Sequence, residues 1–395
     1  MLNEHILDQI KNGSAIRALF EDGKIMAAEF GRENVYDFSL GNPCTPTPTA
    51  VRDAMIDELE HDDPLALHGY MSNAGFDDVR AAVAQSLNAR FGTAFDGSNI
   101  MMTVGAGGAL NCVFKTLLNP GDDALTFAPY FTEYDNYFRN YGVTLTKVAP
   151  NPPTFEPNLE AFEQALSPTT KLVLVNTPNN PTGVVYSEDI IERMAAILTK
   201  KAAEFGTSIY LVSDEPYREL AYDGVEVPYM TKYYRNTLVC YSWSKSLSLP
   251  GERIGYVVMP DELDDADTIK MGSAIANRLL GYVNAPSLQQ RAVARCLDCK
   301  TDLAYYDRNR RAIYDALTSY GFTCVKPQGA FYMTVKSPVP DDKQFCADAK
   351  AEHILLVPMA GFGCPGWARL AYCTSYETIE RSLPAFKRLA EKYFG

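Results

Sequence analysis

The chain has 395 residues, which at about 150 residues per domain predicts two or three structural units. Hydrophobic residues make up 47% and charged residues 22%, ordinary for a globular protein, and no apolar run approaches the roughly 18 to 20 residues of a membrane helix. Acidic residues outnumber basic ones 49 to 36 for a formal charge of −13, which argues against nucleic acid and anionic membrane surfaces as partners.

The opening Met1-Leu2-Asn3-Glu4-His5 lacks the basic-then-apolar layout of a signal peptide. The nine cysteines are scattered, so reduced thiols in a cytoplasmic protein are the expectation. Cys296 and Cys299 form the one CxxC, without a second pair or a nearby histidine to complete a zinc site. Two small side chains on a helix account for them, and no metal is expected.

A helix is predicted from Ser14 to Gly31, where Ile16, Leu19, Phe20, Ile25, Met26 and Phe30 recur at helical spacing. The turn-rich Gly41-Asn42-Pro43-Cys44-Thr45-Pro46 follows. Short apolar runs then alternate with helical ones. Strands are expected at Ile100–Val104, Ala124–Phe127, Thr144–Val148, Leu172–Asn176, Ile209–Ser213, Thr237–Ser242 and Ile254–Met259. Helices are expected at Thr49–Glu60, Phe76–Phe91, Gly107–Leu118, Phe131–Tyr141, Ser187–Phe205 and Asp264–Leu280. Such alternation predicts an α/β fold, a mostly parallel sheet covered by helices on both faces. Beyond Ser287 a long helical region, Leu288–Tyr320, leads to short strands at Phe331–Val335, Ile354–Val357 and Trp367–Tyr372 and a last helix, Tyr376–Phe394. The expected organisation is an N-terminal arm with part of a small domain (1–48), a large domain (49–287) and a smaller α+β domain (288–395). Chemistry is expected at the carboxyl ends of the strands.

Five segments stand at such ends. In Thr103-Val104-Gly105-Ala106-Gly107-Gly108-Ala109-Leu110 a strand gives way to a helix whose first amides could bind an anion; glycines that only ease packing are the plain alternative. A dinucleotide fingerprint fails at Leu110, and no GxxxxGK[ST] loop exists. Asn176-Thr177-Pro178-Asn179-Asn180-Pro181-Thr182-Gly183 cannot be helical and reads by itself as a tight turn. Asp214, in Ser213-Asp214-Glu215-Pro216-Tyr217, could pair with a protonated ring nitrogen or cap a helix. Ser242-Trp243-Ser244-Lys245, followed by Arg253, admits three readings. It could hold an SxxK acyltransferase serine, although partner elements such as KTG are missing and Pro250 and Gly251 suggest a loop. It could hold a Schiff-base lysine beside a phosphate site, or simply a solvated lysine. Arg369, in an apolar strand, calls for a carboxylate, from a ligand or from a structural salt bridge.

Taken in this order, the five segments resemble the fold type I pyridoxal-phosphate enzymes, specifically the class I/II aminotransferases, from Gly41 to Arg369. The resemblance implies pyridoxal 5'-phosphate as cofactor and reversible transamination between an amino acid and a 2-oxo acid. It implies that Lys245 carries the cofactor as a Schiff base and shuttles the proton. Asp214 would keep the pyridine nitrogen protonated, and Tyr217 and Asn180 would bond the ring 3-oxygen. Gly105, Ala106, Gly107, Ser242, Ser244 and Arg253 would hold the phosphate, and Phe131 would stack on the ring, where many aspartate aminotransferases have Trp. Tyr70 would reach the phosphate of a neighbouring subunit, which implies a homodimer with shared active sites. Arg369, helped by Gly41 and Asn180, would bind the substrate α-carboxylate. Lys115 is similar to a lysine that reads a distal carboxylate in one branch of aspartate aminotransferases, and also to any solvated helix residue. A β-elimination enzyme acting on sulfur amino acids shares every one of these motifs; a non-catalytic cofactor-binding protein is the remaining alternative.

Overall fold

Seven strands form the central sheet of the computed structural model, which describes every residue except Met1, Asn12 and Ser14, with residues 15–17 described by their backbone alone. In chain order the strands of the molecule are β1 (Tyr36–Asp37), β2 (Ile100–Thr103), β3 (Asp123–Phe127), β4 (Thr144–Val148), β5 (Thr170–Asn176), β6 (Tyr210–Asp214), β7 (Thr237–Ser242), β8 (Gly255–Val258), β9 (Tyr332–Lys336), β10 (Ile354–Leu355), β11 (Val357–Pro358) and β12 (Trp367–Ala371). The sheet order is β2-β8-β7-β6-β5-β3-β4. All neighbours are parallel except at β8, which is antiparallel to both β7 and β2.

Strands β6 and β7 are buried along their whole length, as a sheet covered on both faces requires. Alternate residues feed opposite cores. Leu172, Leu174, Val212, Leu238 and Cys240 pack with the helix Gly105–Leu117, while Val173, Val175, Leu211 and Ile191 of the helix Glu188–Phe205 form a core on the other side. Because β8 reverses the chain twice over, β2 runs in the same sense as β7. The carboxyl ends of β2, β5, β6 and β7 and the start of β8 therefore share one edge of the sheet, where the five segments converge.

The remaining strands lie apart from this sheet. Three form an antiparallel sheet, β11-β12-β9, and β1 pairs with β10 in a two-stranded parallel piece. Phe38, next to β1, is buried with Tyr306, Ile313, Phe345 and Phe386 of the C-terminal helices, so the N-terminal segment packs into the C-terminal core.

Several sequence expectations are corrected. The expected helix Ser14–Gly31 runs Ala15–Phe30, Ser14 lying outside the described residues. The helical region 288–320 is two helices, Ser287–Ala294 and Leu303–Ser319, because the Asp302 carboxylate caps a new helix start on the Tyr305 amide. Cys296 and Cys299 fall in the turn between them, where the Cys299 amide bonds the Cys296 carbonyl; they are not on a helix. The expected strand Ile354–Val357 is divided between β10 and β11, which belong to different sheets. All nine cysteines are unpaired.

Candidate active site

The convergence encloses a cavity of about 320 Å³. At one end lies the start of the helix Gly105–Leu117, two residues earlier than the sequence pattern suggests. Gly105 takes φ +75°, a conformation open to glycine, so the strand turns directly into the helix and the amides of Ala106 and Gly107 fall in its first turn. A Cβ on Gly105 would stand 3.0 Å from Arg253 Nη2. The Arg253 guanidinium is held there by the carbonyls of Pro250 at 3.1 Å and Val104 at 3.4 Å. Ser242 caps the one-turn helix Trp243–Ser246 through the Ser244 amide, and the two serine hydroxyls bond each other at 2.6 Å. Amides, hydroxyls and a guanidinium thus gather at the same end, a donor set suited to phosphate.

The expectation that Ser242 sits in a loop is corrected by that helix turn. The acyltransferase reading loses its pair for a different reason: Ser242 is engaged with Ser244, whereas Lys245 Nζ donates to the Gly41 carbonyl at 2.8 Å. The amine lies 5.4 Å from the centre of the Phe331 ring. Burial, opposed by Cys373 and aided by the charges of Arg253 and Arg369, brings the Lys245 pKa down to about 8.

Across the cavity floor, Asp214 ends β6. Its Oδ2 accepts the Tyr134 hydroxyl at 2.6 Å, and its Oδ1 is buried without a partner among the described residues. Burial raises the carboxyl to about 7; the Tyr134 hydrogen bond opposes that rise and nearby Glu215 adds to it. The Asn176 amide donates to the Asp214 carbonyl, and Asn176 Oδ1 accepts the Asn180 amide, both at 2.8 Å. One asparagine thereby ties the Asn180 turn to the Asp214 strand. Tyr217 and Tyr332 share a hydroxyl–hydroxyl bond of 3.0 Å. Phe131 lines the cavity and meets Tyr134 edge to face.

Arg369, on β12, is 2% exposed. It donates to Asn180 Oδ1 at 3.1 Å and to the Ser39 carbonyl, its Nε is buried without a partner, and among the described residues no carboxylate pairs with it. The structural salt bridge is therefore excluded. Two residues that line the cavity thus keep a buried polar atom unpaired, a carboxylate oxygen and a guanidinium nitrogen, and a lysine of lowered pKa lines it with them. These groups fit pyridoxal phosphate joined to an amino acid: a cationic ring nitrogen for Asp214 and a carboxylate for Arg369. Among the described residues no His, Cys, Asp or Glu cluster could hold a metal.

Two expected residues are not brought here. Lys115 lies on the exposed face of its helix, whose Ala106, Gly107 and Leu110 line the cavity; five residues beyond Leu110 is a rotation of about 140° on an α-helix. Tyr70 is 93% exposed and outside the cavity. Sequence reasoning missed Tyr134, Tyr137 and Tyr332. All three are aromatic residues in helical or strand settings, where they read as core.

A doubly covered α/β sheet with this lysine, carboxylate and arginine at its carboxyl edge defines a pyridoxal-phosphate enzyme of the aminotransferase type. The chain belongs to the family described as aminotransferase class I and II, which matches residues 33–386, and it is a pyridoxal-phosphate-dependent aminotransferase. Its relatives include the aspartate/prephenate aminotransferase of Thermus thermophilus, 29% identical over 370 residues that cover 92% of this chain and 93% of that one. Among solved structures, an amino transferase from Eubacterium rectale superposes with a TM-score of 0.98 at 46% identity, covering 100% of both chains. The Thermus thermophilus aspartate aminotransferase with maleate gives 0.86 at 27% identity, over 98% of this chain and 99% of that one.

Proposed function

We propose that Lys245 is the residue on which this transamination turns, with Asp214, Tyr217, Asn180, Arg253 and Arg369 in distinct supporting roles. The observation that carries the reading is that Asp214 and Arg369, which line the same cavity as Lys245, each keep a buried atom, Oδ1 and Nε, without a partner among the described residues. Bound pyridoxal phosphate supplies an electron sink for the pair left on a deprotonated α-carbon. An amine with a pKa near 8 is partly neutral at physiological pH, so Nζ could condense with an aldehyde, its two protons leaving with the carbonyl oxygen as water, and could later carry a proton to and from the substrate α-carbon. Asp214 would hold a proton on the ring nitrogen; among the described residues no cation pairs with its carboxyl. Tyr217 and Asn180 donate to the ring oxygen. Gly105, Ala106, Gly107, Ser242, Ser244 and Arg253 would bind the phosphate, and Phe131 would lie against the ring. Arg369, with Asn180 and the Gly41 backbone, grips the α-carboxylate and so orients the Cα–H bond. Lys115 is left out of the site because of its place on the exposed helix face.

We also propose a homodimer whose subunits share active sites through Tyr70. Met271, Ile275 and Leu279, at i, i+4 and i+8 on the helix Ala266–Leu279, are 63%, 47% and 66% exposed, an apolar stripe that supports a protein partner. Asn284 donates to the Met71 and Ser72 carbonyls, tying the segment after this helix to that of Tyr70. A division at 48/49 and 287/288 is supported by the β1–β10 pairing. The unpaired cysteines support a reducing, cytoplasmic setting. Among the described residues no helix is long and apolar enough to cross a membrane.

The test is a panel of amino acids added to the holoenzyme, with aspartate first because relatives carry its name. A true donor bleaches the visible cofactor absorbance, which recovers on adding a 2-oxo acid. Stoichiometric ammonia and 2-oxo acid without an acceptor would instead establish β-elimination. Normal turnover by Lys245→Ala would overturn the assignment of the lysine.

A further inference from the structure

Tyr332 lines the same cavity, and the roles above leave it unused. It begins β9, opposite Ala371 at the end of β12, the strand that carries Arg369. Its ring packs edge-on against Tyr217, with centroids 5.7 Å apart, and the Arg369 guanidinium lies 4.7 Å from its centroid. The Gly41 backbone approaches so closely that a Cβ there would fall 1.9 Å from the Tyr332 hydroxyl. The side chain is 3% exposed and held on every one of these sides.

The hydroxyl pair has a direction that chemistry can assign. Among the described residues the bond between Tyr217 and Tyr332 is the one each hydroxyl makes, and either can donate. A phenol has one proton to give and lone pairs to receive. If Tyr217 gives its proton to the cofactor ring oxygen, its own oxygen is left to accept, and Tyr332 stands at 3.0 Å to supply that hydrogen. Given the Tyr217 role proposed above, we infer that Tyr332 is a positioning residue: it donates to Tyr217, fixes the direction of Tyr217's own donation, and with its ring braces Arg369. Consecutive donations in one direction polarise one another, so Tyr217 becomes the stronger donor. The two hydroxyls also come from different sheets. Tyr217 follows β6 of the seven-stranded sheet and Tyr332 opens β9 of the three-stranded one. The relay therefore exists only while those sheets hold this arrangement, which ties proton control at the cofactor to the placement of the substrate arginine.

The holoenzyme and its Y217F, Y332F and Y217F/Y332F variants decide the matter by titration of the visible cofactor absorbance. Draining charge from the ring oxygen weakens its hold on the neighbouring proton at Lys245 Nζ, so loss of Tyr217 moves the midpoint to higher pH. Y332F keeps the ring and should move it the same way by a smaller amount, roughly 0.3 to 0.7 pH units. The double variant should titrate like Y217F alone, since a relay has nothing left to act through. Y332F should lower kcat while KM for the amino acid stays within about twofold, whereas Y332L, which removes the ring beside Arg369, should raise KM. A shifted Y217F beside an unshifted Y332F would overturn the relay and leave the Tyr217 role standing. An unshifted Y217F would overturn both. Additive shifts in the double variant would also overturn the relay, because Tyr332 would then act on the cofactor without Tyr217.

Discussion

Tyr134 donates its hydroxyl to Asp214 Oδ2 at 2.6 Å and leaves Oδ1 of the same carboxylate buried with no partner among the described residues. Half of the group is satisfied by the fold and half is reserved. Burying that reserved oxygen costs stability while no ligand is bound, and the raised pKa of about 7 expresses the cost.

The cost has a definite pH dependence. A carboxyl raised from 3.8 to about 7 favours folding fully only below its unfolded value, and that contribution is lost as pH rises through about 7. Asp214→Asn keeps the shape and the Tyr134 hydrogen bond but carries no charge. Cofactor-free D214N should therefore resist urea better than the wild type at pH 8, by on the order of 1–3 kcal/mol, with the gap closing toward pH 5. The same variant should lose on the order of 10²- to 10³-fold in kcat. A wild type more stable than D214N at both pH values would show that the carboxylate is not a stored cost.

The parts of the site that the sequence exposes are those where a residue contradicts its surroundings. Lys245 among small hydroxyls, Asp214 closing an apolar strand, and Arg369 within another are each odd against a core pattern. Tyr134 and Tyr332 are not odd. One sits in a helix and one in a strand, and their partners lie 80 and 115 residues away in the chain, so only the fold reveals that their hydroxyls matter. The reversal of β8 was hidden for a related reason, because a buried strand has the same composition in either direction. The break after Ala294 was masked by apolar spacing that continues across the Asp302 cap.

Gly41 joins three parts of the cavity through its backbone. Its carbonyl accepts from Lys245 at 2.8 Å, and its α-carbon faces the Tyr332 ring, where an added Cβ would fall 1.9 Å from Oη and 2.7 Å from Cζ. Gly41→Ala must displace either the segment or the tyrosine, at a cost of about 1–3 kcal/mol. We expect a lower Tm and a raised KM for the amino acid. In a Tyr332→Ala background, itself less stable, Gly41→Ala should lower Tm much less than it does in the wild type, since the atoms that clash are gone. Equal destabilisation by Gly41→Ala in both backgrounds would place the origin of the effect elsewhere.

The exposed stripe of Met271, Ile275 and Leu279 gives the proposed dimer a direct check. Met271→Asp together with Ile275→Asp places two like charges on one helix face and should dissociate the dimer, shifting the sedimentation coefficient to that of a single 43.7 kDa chain. Because Tyr70 has no contact with its own cavity, the dissociated variant and Tyr70→Phe in the intact dimer should both bind pyridoxal phosphate more weakly, the former by more. A wild-type chain that sediments as a monomer while turning over at full rate would dispose of the shared site.

Lys245 makes the most direct prediction, because its amine can be followed before any substrate is present. Burial is the main cause of its pKa near 8, and the positive charges of Arg253 and Arg369 add to it. Attachment to an aldehyde requires the free-base amine. The rate at which the cofactor-free protein recombines with pyridoxal phosphate should therefore climb about tenfold per pH unit below the midpoint and level off above about pH 8. Arg369→Leu removes one nearby cation without touching the groups assigned to the phosphate. The ammonium form then becomes easier to keep, and the midpoint should move up by a few tenths of a unit. Arg253 is a poorer probe, since its loss would also weaken phosphate binding. A recombination rate that stays flat between pH 6 and 9, or a midpoint that falls when Arg369 is removed, would mean that the attaching amine is not Lys245 in the environment described.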